Sequence, residues 1–82
     1  MVRRNVILSL SGERDKNMAV LVQTACGYSS RIHLSYGTKR INAKSIMGVM
    51  ALDLEDGDSV CIEADGADEL AASEAVAAFL ND

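Results

Sequence analysis

Residues 41–52 read Ile41-Asn42-Ala43-Lys44-Ser45-Ile46-Met47-Gly48-Val49-Met50-Ala51-Leu52. At Ser45 the stretch changes from the end of a short strand to an apolar run with helical spacing. Serine is a favoured N-cap, because its hydroxyl accepts a hydrogen bond from a backbone N–H of the first turn. A short helix from Ile46 to about Leu52 is therefore predicted, although its length is marginal and Gly48 weakens it further.

Upstream of this stretch, the hydrophobic pattern predicts a strand, a helix and two more strands. Alternating apolar residues are typical of a strand with one buried side, and spacings of three and four are typical of a helix. Asp15 is a candidate N-cap for the helix, and Gly27 is a typical residue at a helix end. The expected elements are a strand over Asn5 to Leu10, a helix from Lys16 to the residue before Gly27, a strand with Ile32, Leu34 and Tyr36 on one face, and a short strand from Lys39 to Asn42.

Downstream of the stretch, an acidic loop at residues 53–58 separates the short helix from a fourth strand, in which Val60, Ile62 and Ala64 alternate. A last helix begins near Glu69 and runs to Leu80, and its apolar side chains, including Leu70 and Phe79, are expected to cover the sheet. The order is βαββαβα in a single domain, residues 1–82. Helices on one face of an antiparallel sheet, an α+β fold, would bury the alternating side of every strand.

Length and composition restrict the possible functions. The chain has 82 residues, 49% of them hydrophobic and 24% charged, which is typical of a soluble globular protein. No apolar run approaches the roughly 20 residues of a membrane span, and none of the short apolar runs follows a basic amino-terminal signal segment, so a cytoplasmic location without a membrane partner is expected. Cys26 and Cys61 lack metal-binding spacing and are too few for a disulfide framework. No metal and no cofactor are expected.

The net charge of −4 conceals a division between the two halves of the chain. All eight Lys and Arg lie in residues 1–44 with only Glu13 and Asp15 against them, whereas residues 45–82 carry ten acidic groups and no Lys or Arg. The halves either attract each other within the domain or present a basic face and an acidic face to different partners. The scattered basic residues and a pI near 4.8 argue against direct nucleic-acid binding.

Three segments in the right order resemble the HPr family, the small histidine-phosphorylated carriers of the bacterial sugar phosphotransferase system. Ser45 to Met50 matches the regulatory-serine region of that family residue for residue. Leu21 to Ala25 resembles its first helix, and Ala64 to Glu69 resembles the start of its last helix. The resemblance covers the chain from Asn5 onward. It implies an open-faced β-sandwich of four antiparallel strands covered by three helices.

The loop before the first helix departs from the family pattern. The family reads Gly-Leu-His-Ala-Arg-Pro-Ala there, and its His carries the phosphoryl group. Counting back from Leu21 places Arg14 at that His, Lys16 at the Arg and Asn17 at the Pro, while the strand alternation suggests a loop one residue short. A guanidinium has no accessible lone pair and stays protonated near pH 7, so Arg14 cannot accept a phosphoryl group. No catalytic residue is therefore expected, and His33, in mid-strand, is interpreted as an ordinary exposed histidine.

Ser45 is the candidate phosphorylation site, because the resemblance implies a serine kinase that modifies HPr at this position. The alternative is that Ser45 is only a helix cap. The resemblance further implies that Ile46, Met47 and Met50 form an exposed docking patch, with Lys16 as a further partner-binding residue. Methionine side chains are flexible enough to fit several surfaces.

The sequence is compatible with three functions. The first is a non-enzymatic HPr-like regulator, similar to the catabolite-repression members of the family, phosphorylated at Ser45 and docking a transcriptional repressor or a metabolic enzyme. The second is a constitutive binding module without phosphorylation. The third is an atypical phosphocarrier component of sugar transport. A monomer or weak dimer is expected in each case.

Overall fold

The computed structural model describes residues 1–9 and 14–81, and for residues 14–17 it describes the backbone alone. The elements follow the predicted order βαββαβα. They are β1 (Val2–Ile7), α1 (Arg14–Cys26), β2 (Arg31–Tyr36), β3 (Lys39–Asn42), α2 (Ile46–Ala51), β4 (Ser59–Asp65) and α3 (Glu69–Leu80).

The four strands form one antiparallel sheet in the order β1-β4-β2-β3, so the last strand in sequence lies between the first and the second. The helices cover one face, where alternate residues of the central strands are fully buried: Ile32, Leu34, Val60, Ile62 and Ala64. Leu21 and Ala25 of α1, Val49 of α2 and Val76 of α3 pack into the same core. The other face of the sheet carries mostly polar side chains. The predicted α+β open-faced sandwich is confirmed.

The first strand lies three residues earlier than predicted, at Val2–Ile7 instead of Asn5 to Leu10. Its inward face includes Arg4, whose Nε donates a hydrogen bond to Ser73 Oγ at 3.2 Å and whose guanidinium lies 3.6 Å from Glu74 Oε1. A charged residue on the buried side breaks the apolar alternation, so the sequence pattern did not reveal where the strand begins. Leu8 is buried beyond its end, and Leu10 lies outside the described residues.

The first helix begins at Arg14, two residues before the predicted start, so Asp15 lies inside the helix and is not its N-cap. Its predicted apolar face is confirmed, because Met18, Leu21 and Ala25 are buried. The helix ends where expected, since the Gly27 N–H bonds to the Thr24 carbonyl at 3.1 Å.

The buried face of α3 differs from the one expected. Ala72, Ser73, Val76 and Leu80 face the core, whereas Leu70 is 57% exposed and Phe79 is half-buried against the core. Alanine occupies so many positions of this helix that the spacing of apolar residues does not distinguish one face from another. The expectation that Leu70 covers the sheet is therefore wrong.

The start of α3 is fastened to the loop before β2 by the carboxylate of Asp68. This carboxylate accepts hydrogen bonds from the backbone N–H groups of Ser29 and Ser30, both at 2.9 Å, and from the buried Ser30 hydroxyl. Bonds that favour the charged form lower a carboxyl pKa. The bond from the Ser30 hydroxyl, together with those from the two N–H groups, lowers the pKa of Asp68 to about 2.

The stability of the fold is expected to depend on the ionisation of Asp68 in acid. Because the folded-state pKa is depressed, this stabilisation is complete above the unfolded-state pKa of about 4 and disappears as the pH falls toward 2. Asp68→Asn should lower stability at pH 7 and flatten the loss between pH 4 and 2, as measured by urea denaturation across that range. Asp65→Asn, which alters an exposed carboxylate near the amino terminus, is the control. A profile for Asp68→Asn parallel to that of the parent would contradict this assignment.

Candidate functional site

Ser45 caps the short helix α2, as the sequence predicts. Its backbone is extended, and its Oγ accepts a hydrogen bond from the Gly48 N–H at 3.2 Å. The first intrahelical bond also begins here, since the Val49 N–H donates to the Ser45 carbonyl at 3.0 Å. The side chain lies on the surface, where a modifying enzyme can reach its hydroxyl.

Helix α2 divides its apolar side chains between the core and the solvent. Val49 is 1% exposed. By contrast, Ile46 is 40%, Met47 81% and Met50 54% exposed, and together we call these three residues the α2 apolar patch. The patch begins one residue after Ser45, so the capping serine and the exposed apolar side chains are neighbours along the chain.

The ammonium group of Lys44, the residue before Ser45, is bound to another part of the chain and is not a free charge. Its Nζ donates a hydrogen bond to the backbone carbonyl of Tyr28 at 2.7 Å, at the far side of the turn that follows α1. The side chain is half-buried. No periodicity in the sequence indicates this contact, because it joins a side chain to a backbone atom 16 residues away.

The side chains of Arg14 and Lys16 lie outside the described residues, so the structure does not test their assigned positions. Arg14, at the position of the phosphocarrier histidine, and Lys16, as a partner-binding residue, both stay predictions. The backbone of both residues belongs to the first turn of α1.

His33 lies on the open face of the sheet, beside Glu63 of β4 and Asn42 of β3 in the strand register. It lines a shallow cavity of about 100 Å³ together with Met1, Arg31, Arg40, Glu63 and Asp65. His33 is half-buried there and not fully exposed as expected, and its interpretation as an ordinary strand histidine stays a prediction.

Ion pairs across the open face neutralise much of the charge around this cavity. Glu63 Oε2 lies 3.1 Å from Arg3 Nε, and Glu63 Oε1 lies 2.9 Å from Arg40 Nε. The hydrogen bond from Arg40 is the largest cause that lowers the pKa of Glu63, and Arg3 adds to the effect. The amino-terminal ammonium lies 3.1 Å from Glu69 Oε2 and thereby also pairs with an acidic group. We therefore interpret the open face as a structural ion-pair network.

These pairs join the basic half of the chain to the acidic half. Arg3, Arg4, Arg40 and the amino terminus come from the basic half of the chain, and their partners come from the acidic half. The two halves of the chain therefore attract each other through these pairs. In the part of the chain that the structure describes, no three His, Cys, Asp or Glu side chains are grouped to hold a metal ion. Nor does any helix there have the length and apolar character to cross a membrane.

Comparisons with known proteins identify the family. Residues 3–82 match the family described as PTS HPr component phosphorylation site. The phosphocarrier protein HPr from Bacillus anthracis is 35% identical, with a TM-score of 0.88 over 96% of this chain and 95% of that one. Crh, a catabolite-repression protein from Bacillus subtilis, is 38% identical, with a TM-score of 0.77 over 98% of this chain and 93% of that one. The chain belongs to the HPr family.

Proposed function

We propose that the protein is a non-enzymatic HPr-like regulator of the bacterial phosphotransferase system, phosphorylated at Ser45 and docking a protein partner through the α2 apolar patch. One observation carries the proposal: an accessible serine at a helix cap borders a helix that leaves three large apolar side chains in solvent. Such a surface is typical of a protein interaction site.

Phosphorylation would change the chemistry of this surface more than its shape. A phosphate on Ser45 adds about −1.5 to −2 charges and three strong hydrogen-bond acceptors beside the apolar patch. The matching partner offers an apolar groove bordered by arginine or lysine, because charge-assisted bonds to phosphate are strong. A transcriptional repressor or a metabolic enzyme with such a groove would bind the modified protein in preference to the unmodified one. Lys16, a basic residue that precedes the α2 apolar patch in the sequence, is assigned to the same interface.

The regulatory role is supported by the similarity to Crh, which is described as a catabolite-repression protein. It is further supported by the sequence of the loop before α1, where counting back from Leu21 places Arg14 at the histidine that the family phosphorylates. We assign the protein to the cytoplasm, where the sugar phosphotransferase system operates. An HPr dimer from Thermoanaerobacter tengcongensis, 36% identical, is among the similar structures. A monomer or weak dimer stays our prediction for this chain.

The proposal is tested by incubating the protein with the serine kinase that modifies HPr and ATP, followed by intact mass and site mapping. Phosphate on Ser45 is the expected result. A protein that takes up no phosphate yet binds its partner would be a constitutive binding module instead. Phosphate from phosphoenolpyruvate and Enzyme I would indicate an atypical phosphocarrier.

Ser45→Ala is expected to abolish phosphate-dependent binding while the domain still folds. Losing the bond to the Gly48 N–H removes the cap and costs about 1 kcal/mol of unfolding free energy. Isothermal titration with the partner and urea denaturation measure the two effects separately. If Ser45→Ala bound the partner as tightly as the phosphorylated parent, the switch would be refuted.

Met47→Ala separates docking from modification, because Met47 is 81% exposed. Its phosphorylation should proceed as in the parent, and its stability should change by less than about 0.5 kcal/mol, as is usual for surface positions. Binding should weaken at least about fivefold if Met47 is an anchor of the interface. Leu70→Ala, which removes another exposed apolar side chain on a different helix, is the matched control.

A further inference from the structure

The segment that leads into Ser45 is held in place by a set of hydrogen bonds centred on Asn42 and Lys44. The Lys44 N–H donates to Asn42 Oδ1 at 2.9 Å, and the Ser45 N–H donates to the Asn42 carbonyl at 3.0 Å. The Lys44 side chain then reaches across to the Tyr28 carbonyl at 2.7 Å. Residues 42–45 are thereby fixed both internally and to the turn that follows α1.

The electrostatics of α1 explain why the ammonium of Lys44 binds at this place. The carboxyl end of a helix carries partial negative charge, and its last carbonyl groups lack partners within the helix. Basic side chains commonly satisfy these groups, but the last turn of α1 contains none. Lys44, from another part of the chain, places its ammonium on the Tyr28 carbonyl, two residues beyond the last residue of α1, and so brings positive charge close to this helix end. The Tyr28 N–H bonds to the Ala25 carbonyl at 3.2 Å, which places Tyr28 directly at this helix end.

We propose that Lys44 is a positioning residue of the Ser45 site, which fixes the cap against the end of α1 and does not serve as the counter-charge of a phosphate on Ser45. The inference rests on the proposed function in taking Ser45 as the modified residue. The bond to the Tyr28 carbonyl takes one of the three ammonium donors and directs the Lys44 side chain to the turn after α1, which leaves a phosphate on Ser45 to the basic groups of a partner.

The first test measures amide hydrogen exchange in the unphosphorylated protein. In Lys44→Met, exchange at Ser45 and Gly48 should be at least about fivefold faster than in the parent, since local opening governs exchange at such sites. Exchange at the core residue Ile62 should be unchanged. Lys44→Arg, which keeps a cationic donor, should restore the parent rates. Lys39→Met is the matched control, because Lys39 is exposed on β3 and its side chain makes no hydrogen bond or ion pair with another described residue.

The second test places phosphoserine at position 45 during synthesis and follows its titration by phosphorus NMR. The second pKa of a phosphoserine lies near 6, and a directly paired cation lowers it. We expect Lys44→Met to leave this phosphate pKa within about 0.2 of the value in the phosphorylated parent. A rise of more than about half a unit would show that Lys44 pairs with the phosphate and would overturn the proposal.

Unchanged exchange in Lys44→Met at both Ser45 and Gly48 would also overturn it. A third measurement uses the serine kinase and ATP: kcat/KM for Ser45 should fall in Lys44→Met and return in Lys44→Arg, while Lys39→Met behaves as the parent does. A parent protein that the kinase never modifies refutes the proposed function alone, since the exchange and phosphorus measurements need no kinase and still decide the role of Lys44.

Discussion

Incubation with Enzyme I and phosphoenolpyruvate is expected to leave the protein unphosphorylated under conditions that label a histidine-bearing HPr to completion. The chain contains one histidine, His33, and it lies in mid-strand on the open face of the sheet. Position 14 carries arginine, whose protonated guanidinium offers no lone pair to a phosphoryl group. The readout is intact mass at neutral pH, with HPr from Bacillus anthracis as the positive control.

Two variants test whether position 14 or His33 can accept the phosphoryl group. Arg14→His is expected to restore little transfer, because Lys16 and Asn17 also differ from the family loop. His33→Gln should behave as the parent does. Acid-labile phosphate on the parent that disappears in His33→Gln would show that the strand histidine is an acceptor and would contradict the regulatory assignment.

Leu80→Ala is expected to destabilise the domain by about 2–5 kcal/mol, the usual range for removing a fully buried leucine side chain. Leu80 is completely buried at the end of α3, and its carbonyl accepts a hydrogen bond from the Ser9 N–H at 2.9 Å. The cost combines the lost burial of the side chain with the cavity left behind it. Urea denaturation with linear extrapolation measures it.

Leu70→Ala on the same helix is the matched control, because it makes the same chemical change at a residue that is 57% exposed. Its effect should stay within about 0.5 kcal/mol. Equal losses for the two variants would mean that the helix presents a different face to the sheet from the one described above.

The fold could be predicted because most strands alternate clearly and the helices have recognisable ends. In β4, Val60, Ile62 and Ala64 point inward as expected, and Ser45 caps α2 as its position before an apolar run indicates. Prediction failed where the residue type does not match the side of the element on which it lies. Arg4 interrupts the apolar alternation of β1, so the start of this strand was predicted too late. The many alanines of α3 led to the expectation that Leu70 covers the sheet, although its side chain is exposed.

Some features of the candidate site could likewise be predicted from the sequence, and others could not. The exposed serine and the α2 apolar patch are adjacent in sequence, so local spacing and family resemblance suffice to group them. The bond from Lys44 to the Tyr28 carbonyl depends on how α1 packs beside the turn before α2. A contact between a side chain and a distant backbone atom produces no hydrophobic periodicity in the sequence. Only the three-dimensional structure reveals it.

The strand order has a consequence for how the chain is made. In the described part of the chain β1 pairs only with β4, whose first residue follows more than fifty positions later. During synthesis the amino-terminal strand must therefore wait until most of the polypeptide has left the ribosome before it finds its partner. β2 and β3 can pair as a hairpin much sooner. Because pairing between distant segments slows folding, the arrival of β4 should decide when the nascent protein becomes native.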